Sequence, residues 1–142
     1  MAKTSTTIEI EAPVKKVYQV ITDFEAYPDF LSGSKGAKIL KKSGNHLQVE
    51  FKIDVIKTIS YSLDIQLSPQ KGFSWELIKG DFMKSNAGEW KLSEGKKKGT
   101  THAIYEIEMD FGLLVPKSVS SMLIGKNLPT MMKEFKERAE ND

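Results

Sequence analysis

LQVEFKIDVIKTISYSLDIQL, residues 47–67, is the stretch whose alternation decides the fold. Leu47, Val49, Phe51, Ile53 and Val55 share one parity, opposite Gln48, Glu50, Lys52 and Asp54. Ile59, Tyr61, Leu63, Ile65 and Leu67 repeat the pattern against Ser60, Ser62, Asp64 and Gln66. Apolar residues at every second position mark a half-buried strand. As one strand the stretch would run roughly 70 Å, far beyond normal length. A reversal near Lys57-Thr58 is therefore required, although no glycine or proline announces it. Two such strands back to back mean an antiparallel sheet with one wet and one buried face.

The period continues outward. Phe73, Trp75 and Leu77 carry it, then Gly88, Trp90 and Leu92, then Ala103, Tyr105, Ile107, Met109 and Phe111, giving six strands in series from residue 36 to 111. Thr6 to Ala12 alternates as an earlier strand. Pro13 suits the first turn of a helix with the stripe Val14, Val17, Tyr18 and Ile21. The aromatic segment Asp23 to Leu31, interrupted by Pro28 and ended by Gly33 and Gly36, predicts a second short helix or a tight corner. From Pro116 to about Glu140 the period turns helical: Val119, Met122 and Leu123, then Leu128, Met132 and Phe135, with Pro129 expected to kink the helix. Such a helix spans ~36 Å, enough to cross a sheet. The fold class is α+β: a curved antiparallel sheet of about seven strands wrapped around one long C-terminal α-helix, with two short helices after the first strand. One domain over residues 1–142 suits the length.

Composition narrows the function. Apolar content of 39% and charged content of 28% are ordinary for a soluble domain. A net charge of +2 gives no basic face for nucleic acid, and Lys96-Lys97-Lys98 reads as a solvated hairpin tip. The chain has no cysteine, which excludes disulfides and thiol nucleophiles and fits a cytoplasmic protein. The N-terminal residues lack the apolar core of a signal peptide, and no apolar run reaches the ~20 residues of a membrane span. No cofactor or metal is expected: Gly125-Lys126-Asn127 lacks the pattern of a phosphate loop, and no histidine pair has ligand spacing.

The inward parity carries the candidate site. Asp54, Asp64, Glu76, Glu106, Glu108, Asp110 and His102 fall outward, leaving the Tyr61 and Tyr105 hydroxyls, the Trp75 and Trp90 indoles and Asn86 as inward polar groups. That set is poor equipment for acid–base catalysis and suits a large apolar ligand steered by one or two hydrogen bonds. One helix is only about 10–12 Å across, much narrower than the sheet, so the space between them is either hollow or filled by large side chains. Expected contacts are Tyr27, Phe30, Phe51, Tyr61, Trp75, Trp90, Tyr105 and Met109, with Met122, Leu123 and Met132 from the helix. In a meander, alternate turns share one end of the sheet. The turns at Ser43-Gly44-Asn45, Pro69 to Gly72 and Gly95 to Gly99 are polar or basic, whereas the other three offer apolar groups beside lysines. Ile56, Ile59, Phe82, Met83, Leu113, Leu114 and Val115, with Lys57, Lys84 and Lys117, form either a rim that touches a membrane or a closed lid.

The order of elements resembles the START-like, helix-grip superfamily that includes birch-allergen-type proteins. Residues 12–18 and 23–31, Gly80-Asp81-Phe82-Met83-Lys84 with Gly88-Glu89-Trp90, and residues 110–116 carry the resemblance, which is nearest the coenzyme Q-binding and polyketide cyclase/dehydrase-like branch. Ser32-Gly33-Ser34 stands where that branch commonly has a proline and a cysteine. The resemblance implies a non-enzymatic carrier or chaperone for a polyprenyl quinone or another lipid, held between sheet and helix and loaded from a membrane. The alternatives it leaves are a polyketide cyclase or aromatase, with Tyr61, Tyr105 or a rim lysine moving protons, and a ribosome-associated, toxin-like interaction protein.

Overall fold

The computed structural model describes residues 2–54, 57–112 and 115–141. β1 (Ala2–Ile10) leads into α1 (Val14–Thr22), a 3-10 turn (Phe24–Ala26) and α2 (Tyr27–Phe30). Six strands follow: β2 (Ser34–Ser43), β3 (His46–Asp54), β4 (Thr58–Ser68), β5 (Gly72–Gly80), β6 (Met83–Glu94) and β7 (Thr101–Phe111). The chain ends in α3 (Lys117–Met122), a π-helical turn (Leu123–Asn127) and α4 (Leu128–Asn141), together one helical run of 25 residues.

The strands form one antiparallel sheet in the order β1-β7-β6-β5-β4-β3-β2. The β3–β4 ladder runs to the pair Asp54↔Thr58, so the reversal demanded by strand length falls between those two residues. Burial alternates as the parity requires; along β7, Thr101, Ala103, Tyr105, Ile107 and Met109 are all buried. Register shifts near Ser34, Ile39, Ser62 and Met83 bend the strands, which lets a wide sheet curl around a narrow helix. At Gly72, with φ +126°, any Cβ would lie 1.9 Å from the Trp90 carbonyl oxygen, so only glycine fits that turn.

Two prolines lie within the helical segments. Pro28 lies in the first turn of α2, where no intrahelical donor is lost, so it starts the helix rather than interrupting it. At Pro129 the long helix continues. A proline ring clashes with the carbonyl four residues back. Here the preceding turn is widened to the π form, with the Leu128 N–H bonded to the Leu123 carbonyl. The strain appears as a π turn in the wall of the interior. The stripe Leu128, Met132, Phe135 and Ala139 seats α4 on the core, and Phe135 packs edge-on against Trp90 and Tyr27 at 5.3 Å. Among the described residues no helix is long and apolar enough to cross a membrane.

Candidate ligand cavity

Sheet and helix do not fill the space between them. A cavity of about 360 Å³ remains, walled by side chains of β3 to β7, by Tyr27 and Leu31, by Ser32-Gly33-Ser34, and by the long helix from Leu123 to Phe135. That is near the lower end of ligand sites in proteins.

Its aromatic wall follows from the strand period. Phe51 and Tyr61 stack across β3 and β4 at 5.6 Å, and Trp75 and Trp90 bracket Tyr105 at 5.4 and 5.0 Å. Gly88 makes room for this group: a Cβ there would lie 2.6 Å from Trp75 Cζ2 and 2.2 Å from the Glu106 carbonyl oxygen. The Trp75 indole lies over a position where even alanine does not fit.

The polar atoms of the wall divide into committed and free groups. The Tyr27 hydroxyl donates to the Ile21 carbonyl, one of the orphan acceptors at the end of α1. Trp75 Nε1–H donates to Asn86 Oδ1 at 2.9 Å. An indole only donates, so this bond fixes the amide orientation and turns the Asn86 NH₂ the other way. There its neighbour is Met83 Sδ at 3.9 Å, a weak acceptor. Among the described residues no acceptor or donor pairs with the hydroxyls of Tyr61 and Tyr105, and both residues line the cavity. Burial pushes both phenols well above their ordinary range, and for Tyr105 the neighbouring Tyr61 adds to the rise. Both therefore stay protonated at neutral pH. They can donate hydrogen bonds but cannot act as bases.

The cavity is open on one side. Ser32, Gly33, Asp54, Lys126 and Thr130 line it and are exposed, so it reaches solvent on that side. Both carboxylate oxygens of Glu134 accept from the Ser32 backbone N–H, at 3.1 and 3.2 Å, tying the loop after α2 to the helix. Asp54 is corrected: parity put it outward, but at the end of β3 it lines the opening, as do the ionisable Lys126 and Glu134 of the helix. Parity reads only the middle of the sheet, and these come from a strand end and the helix.

Most of the expected contacts come together here: Tyr27, Phe51, Tyr61, Trp75, Trp90, Tyr105, Met109 and Leu123 all line the cavity. Phe30, Met122 and Met132 do not, and are corrected. Phe30 lies behind the wall, edge-on to Tyr27 and Phe135 with the Arg138 guanidinium 4.9 Å over its ring. Met132 is 2% exposed within the stripe that seats α4, and Met131 takes the wall position instead. Met122 is half-buried on α3. Helical spacing identifies a buried stripe but not which part of it adjoins a void.

The apolar turns do meet at one end. Lys57 Nζ sits 4.3 Å over the Phe82 ring, and the Gly112 N–H donates to the Phe82 carbonyl at 3.0 Å. Phe82 is 40% exposed and holds a left-handed φ of +59°, unusual for a bulky residue. Met83 lines the cavity, Lys84 and Lys117 are exposed, and Val115 is half-buried. Ile59 is corrected: it is 7% exposed and pairs with Ile53, so it belongs under the sheet and not on a rim. Ile56, Leu113 and Leu114 lie outside the described residues. Among the described residues no three metal-ligating side chains cluster.

A curved seven-stranded sheet gripping one long helix around an apolar cavity defines a helix-grip, START-like protein. The family described as polyketide cyclase / dehydrase and lipid transport matches residues 10–136, and the chain belongs to it. That description spans enzymes and carriers alike. The chain is 27% identical over 134 residues to the ribosome association toxin RatA of Escherichia coli K12, covering 87% of this chain and 83% of that protein. Among solved structures, a START superfamily protein from Mycobacterium smegmatis matches with TM-score 0.85 at 20% identity, over 97% of both chains. The Zhui aromatase/cyclase from Streptomyces sp. R1128 matches with TM-score 0.87 at 17% identity, over 98% of this chain and 93% of that one. At these identities the structural matches establish the fold alone.

Proposed function

We propose that this protein is a non-enzymatic carrier or chaperone for an apolar small molecule, a lipid or a polyprenyl quinone, held between sheet and helix. The carrying observation is the chemistry of the cavity. Its deep wall is aromatic and aliphatic, and among the described residues the titratable groups there are tyrosines kept protonated by burial. General acid–base catalysis needs a group poised near the working pH, and the deep wall holds none. A volume of about 360 Å³ takes a ring system or a short chain, so a long polyprenyl tail would trail out toward the rim. At that rim Phe82 and Met83, with Lys57, Lys84 and Lys117, supply apolar groups beside cations, each cation adding up to ~1 kcal/mol at an anionic lipid surface.

Native against denaturing mass spectrometry of freshly purified protein, with an organic extract alongside, tests the reading. The expected result is a stoichiometric mass increment lost on denaturation and matched by an apolar compound in the extract. Bare protein from several hosts, with no uptake of added quinones or lipids, would overturn it.

The relationship to a ribosome association toxin favours a second reading, a protein or ribosome partner engaged by the outer face of the sheet. Co-sedimentation with ribosomal particles, unaffected by emptying the cavity, is the result that would prefer it.

A further inference from the structure

The cavity wall presents several hydrogen-bond donors without a good protein acceptor, the Ser34 hydroxyl among them, and three of these donors are amide or phenol groups. The Asn86 amide is 4% exposed and held in one orientation by the Trp75 indole, with only a thioether near its NH₂. The other two are the hydroxyls of Tyr61 and Tyr105. Their polar atoms border the cavity space and are not sealed in protein, so water or a ligand can meet them. Among the described residues no cation stands with them: Lys126 of the wall is exposed at the solvent side, where Glu134 also lies. A buried carboxylate or phosphate without a cationic partner pays a large desolvation cost. A neutral carbonyl oxygen accepts such donors without that penalty.

We propose that Asn86, oriented by Trp75 in a wall that also carries Tyr61 and Tyr105, recognises a neutral acceptor oxygen, so that a ketone, ester or similar carbonyl enters the cavity oxygen-first. The apolar remainder of the molecule then points back toward the solvent side. Anionic ligands, including ionised fatty acids, are disfavoured in this orientation. The inference rests on the carrier reading and narrows its ligand class. Trp75 has a double role, since its ring forms the wall and its N–H aims the amide.

Displacement of the neutral fluorescent probe N-phenylnaphthylamine tests both levels separately. Three competitors of similar shape and size isolate the head group: acetylnaphthalene, isopropylnaphthalene and naphthoate. The ketone is expected to displace the probe at about three- to tenfold lower concentration than the hydrocarbon, the yield of one net hydrogen bond. Naphthoate is expected to be the weakest. Asn86→Leu should bring the ketone-to-hydrocarbon ratio toward one. Because that variant also strands the Trp75 N–H, the double variant Tyr61→Phe with Tyr105→Phe, which removes no protein hydrogen bond, provides the second readout and should narrow the same ratio. Failure of the probe to bind at all would defeat the carrier reading. Probe binding with ketone and hydrocarbon equal, with naphthoate tightest, or with a ratio unchanged in both variants would overturn this inference and leave the carrier reading standing.

Discussion

Replacing Tyr27, Tyr61 and Tyr105 one at a time by phenylalanine removes the same oxygen from three rings around one cavity, yet the three losses should differ. The Tyr27 hydroxyl donates to the Ile21 carbonyl in a buried setting. Deleting it strands that carbonyl, at a cost of about 1–2 kcal/mol. With roughly 3 °C per kcal/mol for a domain of this length, Tyr27→Phe should melt about 3–6 °C lower. The hydroxyls of Tyr61 and Tyr105 have no protein partner to lose. Their removal ends a desolvation penalty, partly relieved by any water in the cavity, so melting should move by no more than about 2 °C or rise slightly. Differential scanning calorimetry on ligand-stripped protein reads all three. Losses of similar size at Tyr27, Tyr61 and Tyr105 would refute the assignment of free donors to the last two. A loss confined to Tyr61 or Tyr105 would do the same for that residue.

Two further outcomes follow from particular side chains. Phe82 pays for a left-handed backbone that glycine adopts freely, so Phe82→Gly should leave stability unchanged or raise it by up to about 1 kcal/mol while weakening flotation with anionic vesicles; unaltered flotation would argue against the rim. Glu140 accepts from the Glu11 backbone N–H and from Lys136, and these bonds, the backbone one first, hold its carboxyl below the ordinary 4.5. A folded-state value below the unfolded one stabilises the protein above the carboxylate range and loses that contribution as pH falls through it. The stability gap between wild type and Glu140→Gln should therefore be full at neutral pH and shrink as the pH falls below the ordinary 4.5; a gap independent of pH would show that the carboxylate charge contributes nothing.

Much of the architecture is legible in local pattern. A period of two from Leu47 to Leu67 cannot sit on a helix, and the limit on strand length forces a reversal where no turn residue stands. The parity that follows puts Phe51, Tyr61, Trp75, Trp90 and Tyr105 on one face, and all five do line the cavity. The helix is where pattern reading fails. Leu128, Met132 and Phe135 share a stripe, but the stripe is wider than the void it borders, so Met132 packs while Met131 is exposed to the cavity. The π turn before Pro129 compounds this by adding a residue to the turn, and no sequence period marks such an insertion.

The amino-acid sequence by itself determined the strand series, the faces of the strands, the terminal helix and the lack of acidic or basic groups on the inward parity, because each of these is a property of neighbours along the chain. Only the tertiary structure decided that the interior is hollow, that Asp54, Lys126 and Glu134 border its opening, and that Asn86 is aimed by Trp75 while Tyr61 and Tyr105 remain unpaired. Those facts depend on distances between residues on different strands and on the volume left over after packing. Neither quantity is carried by any local stretch of sequence.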